Sequence, residues 1–161
     1  MTEKICCFTG HRRLPDNSMK KLPEILDKEI ESRIREGYTV FRAGGACGFD
    51  AIAAMKVVVA KKKYGFVKLE LCLPCKDQDK YWSQMEKTIY RKVMEAADSI
   101  SYAEERYTRD CMYKRNRMLV DGSDCCIGFC LPGTKRGGTL YTMNYAVKKG
   151  VECKNLYHSM K

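Results

Sequence analysis

Leu131-Pro-Gly-Thr-Lys-Arg-Gly-Gly-Thr-Leu-Tyr-Thr142 is the stretch whose reading decides the fold. Ahead of it runs a short apolar segment, Cys125-Cys126-Ile127-Gly128-Phe129, and behind it Met143, Ala146 and Val147 recur at helical spacing. The order is strand, glycine-rich turn, helix start. Glycine lets a backbone approach a ligand closely, and the first free N–H groups of a helix point at any phosphate placed there. The turn therefore has two readings. It holds the phosphate of a nucleotide-like ligand, or it is a tight strand-to-helix connection with no ligand. An isolated turn of this kind does not decide between them.

Outward from this turn, the same alternation fills the chain. Ile5-Cys-Cys-Phe8 is a continuous apolar run, as a strand covered on both faces requires. Leu22, Ile25, Leu26, Ile30 and Ile34 follow at helical spacing. Pro23 fits only a first turn, so this helix is expected to begin near Leu22 and to stop at Gly37. Tyr38 to Ala43 reads as a second strand, and the apolar Ala51–Ala60 as a helix deep on the sheet. Leu69, Leu71 and Leu73 mark a third strand. Tyr81, Met85, Ile89, Val93 and Ala97 form a stripe, which predicts a third helix over Asp79–Ala97 carrying Trp82. Ser99–Tyr102 is a short fourth strand. Glu104–Asp110 is a polar, mobile loop, and Cys111–Val120 a helix. Val151–Tyr157 is an edge strand. Sustained alternation specifies an α/β fold, a three-layer sandwich of a mostly parallel sheet with helices on both faces, as one domain over residues 1–161.

With 161 residues, 45% of them hydrophobic, the chain can bury a full core. No apolar run reaches the roughly 18 residues of a membrane span, and no leader is recognisable, so a cytoplasmic protein without a membrane partner is expected. Ten cysteines sit mainly in apolar strand-like runs, as small buried hydrophobes rather than a disulfide framework. Adjacent strand residues face opposite sides, so each Cys-Cys pair can serve both cores. Cys72-Leu-Pro-Cys75 has redox spacing, but Cys72 ends a strand instead of starting a helix. Only His11 and His158 could join a zinc site, so neither a metal nor a cofactor is expected. The net charge of +10 favours anionic partners, nucleotides or nucleic acid.

Ligands of such a sheet bind outside the carboxyl ends of its strands, where the strand order switches. Four unusual loops fall there: Thr9-Gly10-His11-Arg12, Gly44-Gly45 to Asp50, Pro74 to Gln78, and Gly137-Gly138-Thr139. Gly48 precedes the second helix, and Asp50 either complements its dipole or hydrogen-bonds a ribose hydroxyl or a base. His11 and Arg12 offer a proton donor and a phosphate clamp. Arg115 and Asn116 project from the helix before the last core strand. Trp82 packs, or stacks on a base.

Taken together, Thr9-Gly10-His11-Arg12, Gly44-Gly45-Ala-Cys-Gly48-Phe-Asp50, the Gln78 and Trp82 region, Arg115-Asn116-Arg-Met-Leu-Val-Asp121-Gly-Ser-Asp124 and Gly137-Gly138-Thr139 resemble the YpsA-like branch of the SLOG superfamily. That superfamily also holds the DNA-processing protein DprA/Smf and the Lonely Guy enzymes. The resemblance spans about Ile5 to Tyr157 and implies a Rossmann-like fold with a nucleotide-derived ligand. It also implies a homo-oligomer, since relatives often dimerise. The enzymatic relatives carry P-G-G-x-G-T-x-x-E, and Thr142 stands where their glutamate would be. Its absence removes the carboxylate expected to stabilise an oxocarbenium-like transition state or to activate water.

Three functions are carried forward, in this order. The first is binding of a nucleotide, ADP-ribose or NAD-like ligand, as a sensor or regulatory module, through Thr9, Gly10, Arg12, Gly44, Gly45, Gly48, Asp50, Arg115, Asn116, Gly137, Gly138, Thr139 and Thr142. The second is hydrolysis of a nucleotide N-glycosidic or nucleotide-sugar bond, with His11, Asp50 or Asp121 as the acid–base candidates. The third is DprA-like binding of single-stranded nucleic acid. Whether a reaction is catalysed stays open at this point.

Overall fold

The computed structural model describes residues 3–160. Six strands and five helices alternate: β1 Lys4–Gly10, α1 Ser18–Arg35, β2 Tyr38–Ala43, α2 Phe49–Lys63, β3 Lys68–Leu73, α3 Gln84–Ala96, β4 Ser99–Tyr102, α4 Cys111–Val120, β5 Cys125–Phe129, α5 Gly138–Lys148 and β6 Glu152–Asn155. A short 3-10 helix over Leu156–Ser159 follows. The strands form one sheet in the order β4-β3-β2-β1-β5-β6, and every neighbouring pair is parallel.

The order explains where a site can form. From β1 the chain steps outward through β2 and β3 to β4. It then crosses back over the sheet, through α4, to place β5 on the free side of β1. The loops leaving β1 and β5 diverge there, which opens a crevice at their carboxyl ends. The cores follow the pleat. Cys6 and Cys125 pack with α1, α2 and Phe129 on the larger side, whereas Cys7 and Cys126 pack with Leu119, Val120 and Ala146 of α4 and α5 on the smaller. The paired cysteines thus serve opposite faces, in register across β1 and β5.

Several element boundaries differ from the sequence reading. Thr9 and Gly10 belong to β1, paired with Gly128 and Phe129, and are not loop residues. Helix α1 starts at Ser18, a turn before Leu22, with Pro23 inside it. Early turns supported by Pro15 and Asp16 carbonyls give it that start, and proline there removes only one ladder bond. Helix α3 starts at Gln84, so Trp82 precedes it. Ser83 caps α3 in a reciprocal box, its hydroxyl accepting from Glu86 N–H at 3.2 Å and the Glu86 carboxylate accepting from Ser83 N–H at 2.9 Å. That cap outweighs the apparent stripe, and Tyr81 and Met85 are exposed. The terminal strand is shorter than read, ending at Asn155.

Candidate functional site

A cleft of about 470 Å³ opens at the carboxyl ends of β1 and β5. Thr9, Gly10, His11, Arg12, Asp50, Arg115, Asn116, Gly137, Gly138 and Thr139 all line it. The alternation that built the sheet brings these distant segments together, because each follows or faces the carboxyl end of a strand.

One wall is the start of α5. Gly137 occupies the cap position at φ 117°, a conformation that a side chain resists. No side chain caps the helix. The first N–H groups of α5 therefore have no partner within the helix, and they carry its positive dipole end. A Cβ at Gly137 would meet nothing within 4 Å, and one at Gly138 would meet only Asn116 Nδ2 at 3.4 Å. This turn is open toward the cleft.

The opposite wall is polar and buried. Asp50, in the first turn of α2, is 5% exposed, and its Oδ1 has no hydrogen-bond partner. Burial pushes its carboxyl up to about 6, against the pull of the Arg115 guanidinium and of backbone N–H groups at Ala46 and Gly44. Arg115 is equally buried. Its Nε donates to Asn116 Oδ1 at 2.8 Å, and its Nη1 donates to the Gly44 carbonyl. Burial pushes Arg115 below its ordinary value, with Asp50 the main opposing charge. Gly44 is the hinge of this pair, since a Cβ there would lie 2.7 Å from Arg115 Nη1 and 2.9 Å from Asp50 Oδ2.

The other glycines of the edge are filled by the protein itself. A Cβ at Gly10 would lie 2.5 Å from Phe49 Cβ. One at Gly48, where φ is 75°, would lie 2.6 Å from the His11 carbonyl oxygen. Gly45 is hemmed in by Leu73, Gln78 and Tyr90. Their clustering, which the sequence presents as one signal, has two causes: chain packing at Gly10, Gly44, Gly45 and Gly48, and open approach at Gly137 and Gly138.

His11 clasps the two diverging loops. Its N–H donates to the Phe129 carbonyl at 3.3 Å, and its Nε2 accepts from Leu131 N–H at 2.9 Å. Accepting at Nε2 requires the neutral ring there, and burial holds its titration below the ordinary value. Arg12 leans over Trp82, 5.3 Å from the ring centroid, and its Nη2 lies 3.7 Å from Cys47 Sγ.

Gly44, Gly45 and Gly48 do not line the cleft, and two further candidates, Thr142 and Asp121, are placed elsewhere. Thr142 is fully buried, and its hydroxyl donates back to the Gly138 carbonyl at 2.7 Å. Asp121 ends α4, which runs against the strands, so it lies at the amino edge and accepts from Tyr145 O–H at 2.7 Å. In their stead the cleft gains residues that sequence reasoning missed: Tyr107, Arg109, Tyr113 and Arg136. The polar stretch Glu104–Asp110, read only as mobile, carries two of them over the opening. An aromatic and an arginine within one charged loop were the available signal. Cys72 and Cys75 are buried thiols, each pushed up to about 11 by that burial. Among the described residues no group of three or more His, Cys, Asp or Glu is placed to hold a metal ion, and no helix is long and apolar enough to cross a membrane.

A parallel sheet whose βα turns meet in a crevice at the strand-order switch defines a Rossmann-like α/β protein. The chain belongs to the YspA SLOG family, whose model matches residues 6–158. It is 31% identical over 148 residues to the uncharacterized SPbeta prophage-derived protein YoqJ of Bacillus subtilis, covering 84% of this chain and 81% of that protein. Among solved structures it is similar to DNA processing protein A of Helicobacter pylori, described in a single-stranded DNA binding mode. The TM-score is 0.66 at 18% identity, over 94% of this chain and 64% of that one. It is also similar to TM1055, with a TM-score of 0.59 at 14% identity, over 93% of this chain and 72% of that one. At these identities the structural likeness speaks for the fold alone.

Proposed function

We propose that the cleft binds a phosphorylated, nucleotide-derived ligand (a nucleotide, ADP-ribose or an NAD-like molecule) and that the protein acts as a sensor or regulatory module. One observation carries the reading. The uncapped start of α5 faces the same cleft as a buried carboxylate whose Oδ1 has no partner. The first favours an anion and the second demands a donor. A phosphate joined to a hydroxyl- or N–H-bearing group supplies both. Arg109 and Arg136 add positive charge at the cleft, and Arg12 stands at its mouth over Trp82.

Calorimetry and thermal shift against a nucleotide panel, ADP-ribose and NAD included, test this. A ligand at a hundred times its Kd stabilises a folded protein by about 2.7 kcal/mol. For a chain of this size that is a rise of roughly 5–11 °C at about 2–4 °C per kcal/mol. Silence across the panel from folded protein refutes the reading. Following the same mixtures for product addresses the hydrolase alternative, in which Asp50 is the carboxylate present in the cleft. Turnover lost in Asp50→Asn supports it, and turnover unchanged in that variant removes Asp50 from it.

A second reading is binding of single-stranded nucleic acid. It is favoured by Tyr107 and Tyr113, 64% and 41% exposed, standing with Arg109 and Arg136 around one opening. Aromatic faces among cations form a base-stacking platform, worth about 1–3 kcal/mol per stacked base. Association measured by fluorescence anisotropy should weaken steeply with salt and fall about tenfold or more in Tyr107→Ala. No binding at low salt disposes of it.

A further inference from the structure

Three thiols stand in a row across the face of the sheet that α4 and α5 cover. Cys7 of β1 is the register partner of Cys126 of β5, and Cys126 is the register partner of Cys153 of β6. All three belong to the smaller core. Cys7 and Cys126 are fully buried there, and Cys153, on the edge strand, is partly exposed. Cys126 is hydrogen-bonded to the thiols on both sides of it. None of the three lines the cleft.

Exposure and ionisation single out Cys153. Eight of the ten cysteines are buried, and only Cys47 and Cys153 are partly open to solvent. The hydrogen bond with Cys126 holds the Cys153 thiol below its ordinary value. Its bonds to Cys153 and Cys7, together with burial, push Cys126 the other way. Cys47 is raised by burial instead, and it lies against Glu86 and Arg12. The thiolate is the form that attacks an oxidant, and a second thiol in contact with it can resolve the product. Cys153 and Cys126 supply these two parts. Cys6 and Cys125 are register partners as well, but both are closed to solvent in the larger core, and Cys125 Sγ donates to Glu152 at 3.4 Å.

We propose that Cys153 is a peroxide-reactive modification site and that Cys126 resolves it into an intramolecular disulfide joining β5 to the edge strand β6. In the first step the Cys153 thiolate attacks one oxygen of the peroxide. An S–O bond forms, the O–O bond breaks, and hydroxide leaves and takes up a proton as water; the sulfur is oxidised to a sulfenic acid and the peroxide is reduced. In the second step the Cys126 sulfur attacks the Cys153 sulfur. An S–S bond forms, the S–O bond breaks, and the departing hydroxide takes the Cys126 proton as water. Two thiols and one peroxide give one disulfide and two waters. The backbone allows it, since paired strands lie about 4.8 Å apart and disulfides span Cα separations of roughly 4.4–6.8 Å. Strand β6 has four residues and is paired on one side only, so it can yield as the sulfurs close. The bond fixes a strand that already holds the exit of β5, where Asn155 accepts from Cys130 N–H at 3.0 Å and donates to its carbonyl at 2.9 Å.

Hydrogen peroxide in small excess over the reduced, desalted full chain tests this. The mass of the wild type should fall by about 2 Da and return with dithiothreitol, and non-reducing peptide fragmentation should join Cys126 to Cys153. Cys126→Ala should stop at the sulfenic acid, so that dimedone labels Cys153. Cys153→Ser should slow disulfide formation at least about tenfold, because the remaining thiols of the row are buried. A bond between other cysteines, or between two chains, overturns the proposal. So does a folded wild type whose Cys153 stays reduced, or a folded Cys126→Ala without label at Cys153. If Cys126→Ala does not fold, the wild-type disulfide map decides alone.

Discussion

Replacing Gly10 by alanine and, separately, Gly138 by alanine should move stability in opposite directions. Gly10 ends β1, and the new Cβ would lie 2.5 Å from the Cβ of Phe49. Phe49 cannot step aside. It is fully buried, stacked on Phe129 at 6.1 Å and edge-on to Phe8 at 6.4 Å, and its N–H is held by the His11 carbonyl at 3.2 Å. Relief therefore requires a shift of the start of α2. Overpacking of this kind costs about 1–3 kcal/mol. At about 2–4 °C per kcal/mol for a domain of this size, the melting temperature should fall by roughly 2–12 °C. At Gly138 the new methyl meets only Asn116 Nδ2, at ordinary contact distance, and alanine is the better helix residue by up to about 1 kcal/mol. That variant should melt at or a few degrees above the wild type. Calorimetric and urea unfolding, with m held constant across the set, measure both. A Gly10→Ala protein that melts with the wild type would refute the argument that packing fixes this glycine. A Gly138→Ala protein that falls as far as Gly10→Ala would refute the openness of the α5 turn.

Other perturbations test separate parts of the molecule. The Asp50 carboxyl should titrate near 6 by carbon-detected NMR, and Arg115→Met should move it higher, because the lost guanidinium favours the charged form. Its raised value gives stability that is full below about 3.9 and lost as pH rises through about 6, worth about 3 kcal/mol across that window. His11 works the other way. Its value is lowered, so its contribution is present above about 6.5 and is lost as pH falls and the bond from Leu131 N–H breaks; His11→Gln should flatten that part of the pH profile of urea unfolding. Ser83→Ala removes the cap of α3 and should cost about 1 kcal/mol, read as a drop of roughly 2–4 °C.

The fold was legible because its signal is periodic and redundant. Continuous apolar runs at Ile5–Phe8 and Cys125–Phe129, alternating with helical spacing, allow little besides a parallel sheet. Boundaries were less legible where side chains act on backbone groups. The Ser83–Glu86 reciprocal cap overrides a stripe that seems to continue back to Tyr81, and Thr9 and Gly10 extend β1 because β5 pairs with them. The site was legible as an edge of the sheet and less so as a set of contacts. Glycines packed against Phe49 or Arg115 look in sequence like glycines left open for a ligand. Thr142 fits a motif by position, yet its hydroxyl serves its own helix. Asp121 follows Arg115 and Asn116 closely in sequence, but α4 carries it to the far edge. Tyr107 and Arg109 were hidden in a polar loop whose path no periodicity describes.

The central place of β1 bears on how the chain is made. Its first neighbour, β2, is synthesised within some thirty residues, but the other, β5, is paired through contacts such as Cys6 with Cys125. Ribosomes add about 5–20 residues per second, so one edge of β1 waits on the order of ten seconds for its partner. During that interval the nascent chain presents an open, apolar strand edge, the geometry that invites pairing with other chains. Chains ending before Cys125 keep that edge permanently, and they should need chaperone protection that the full chain outgrows.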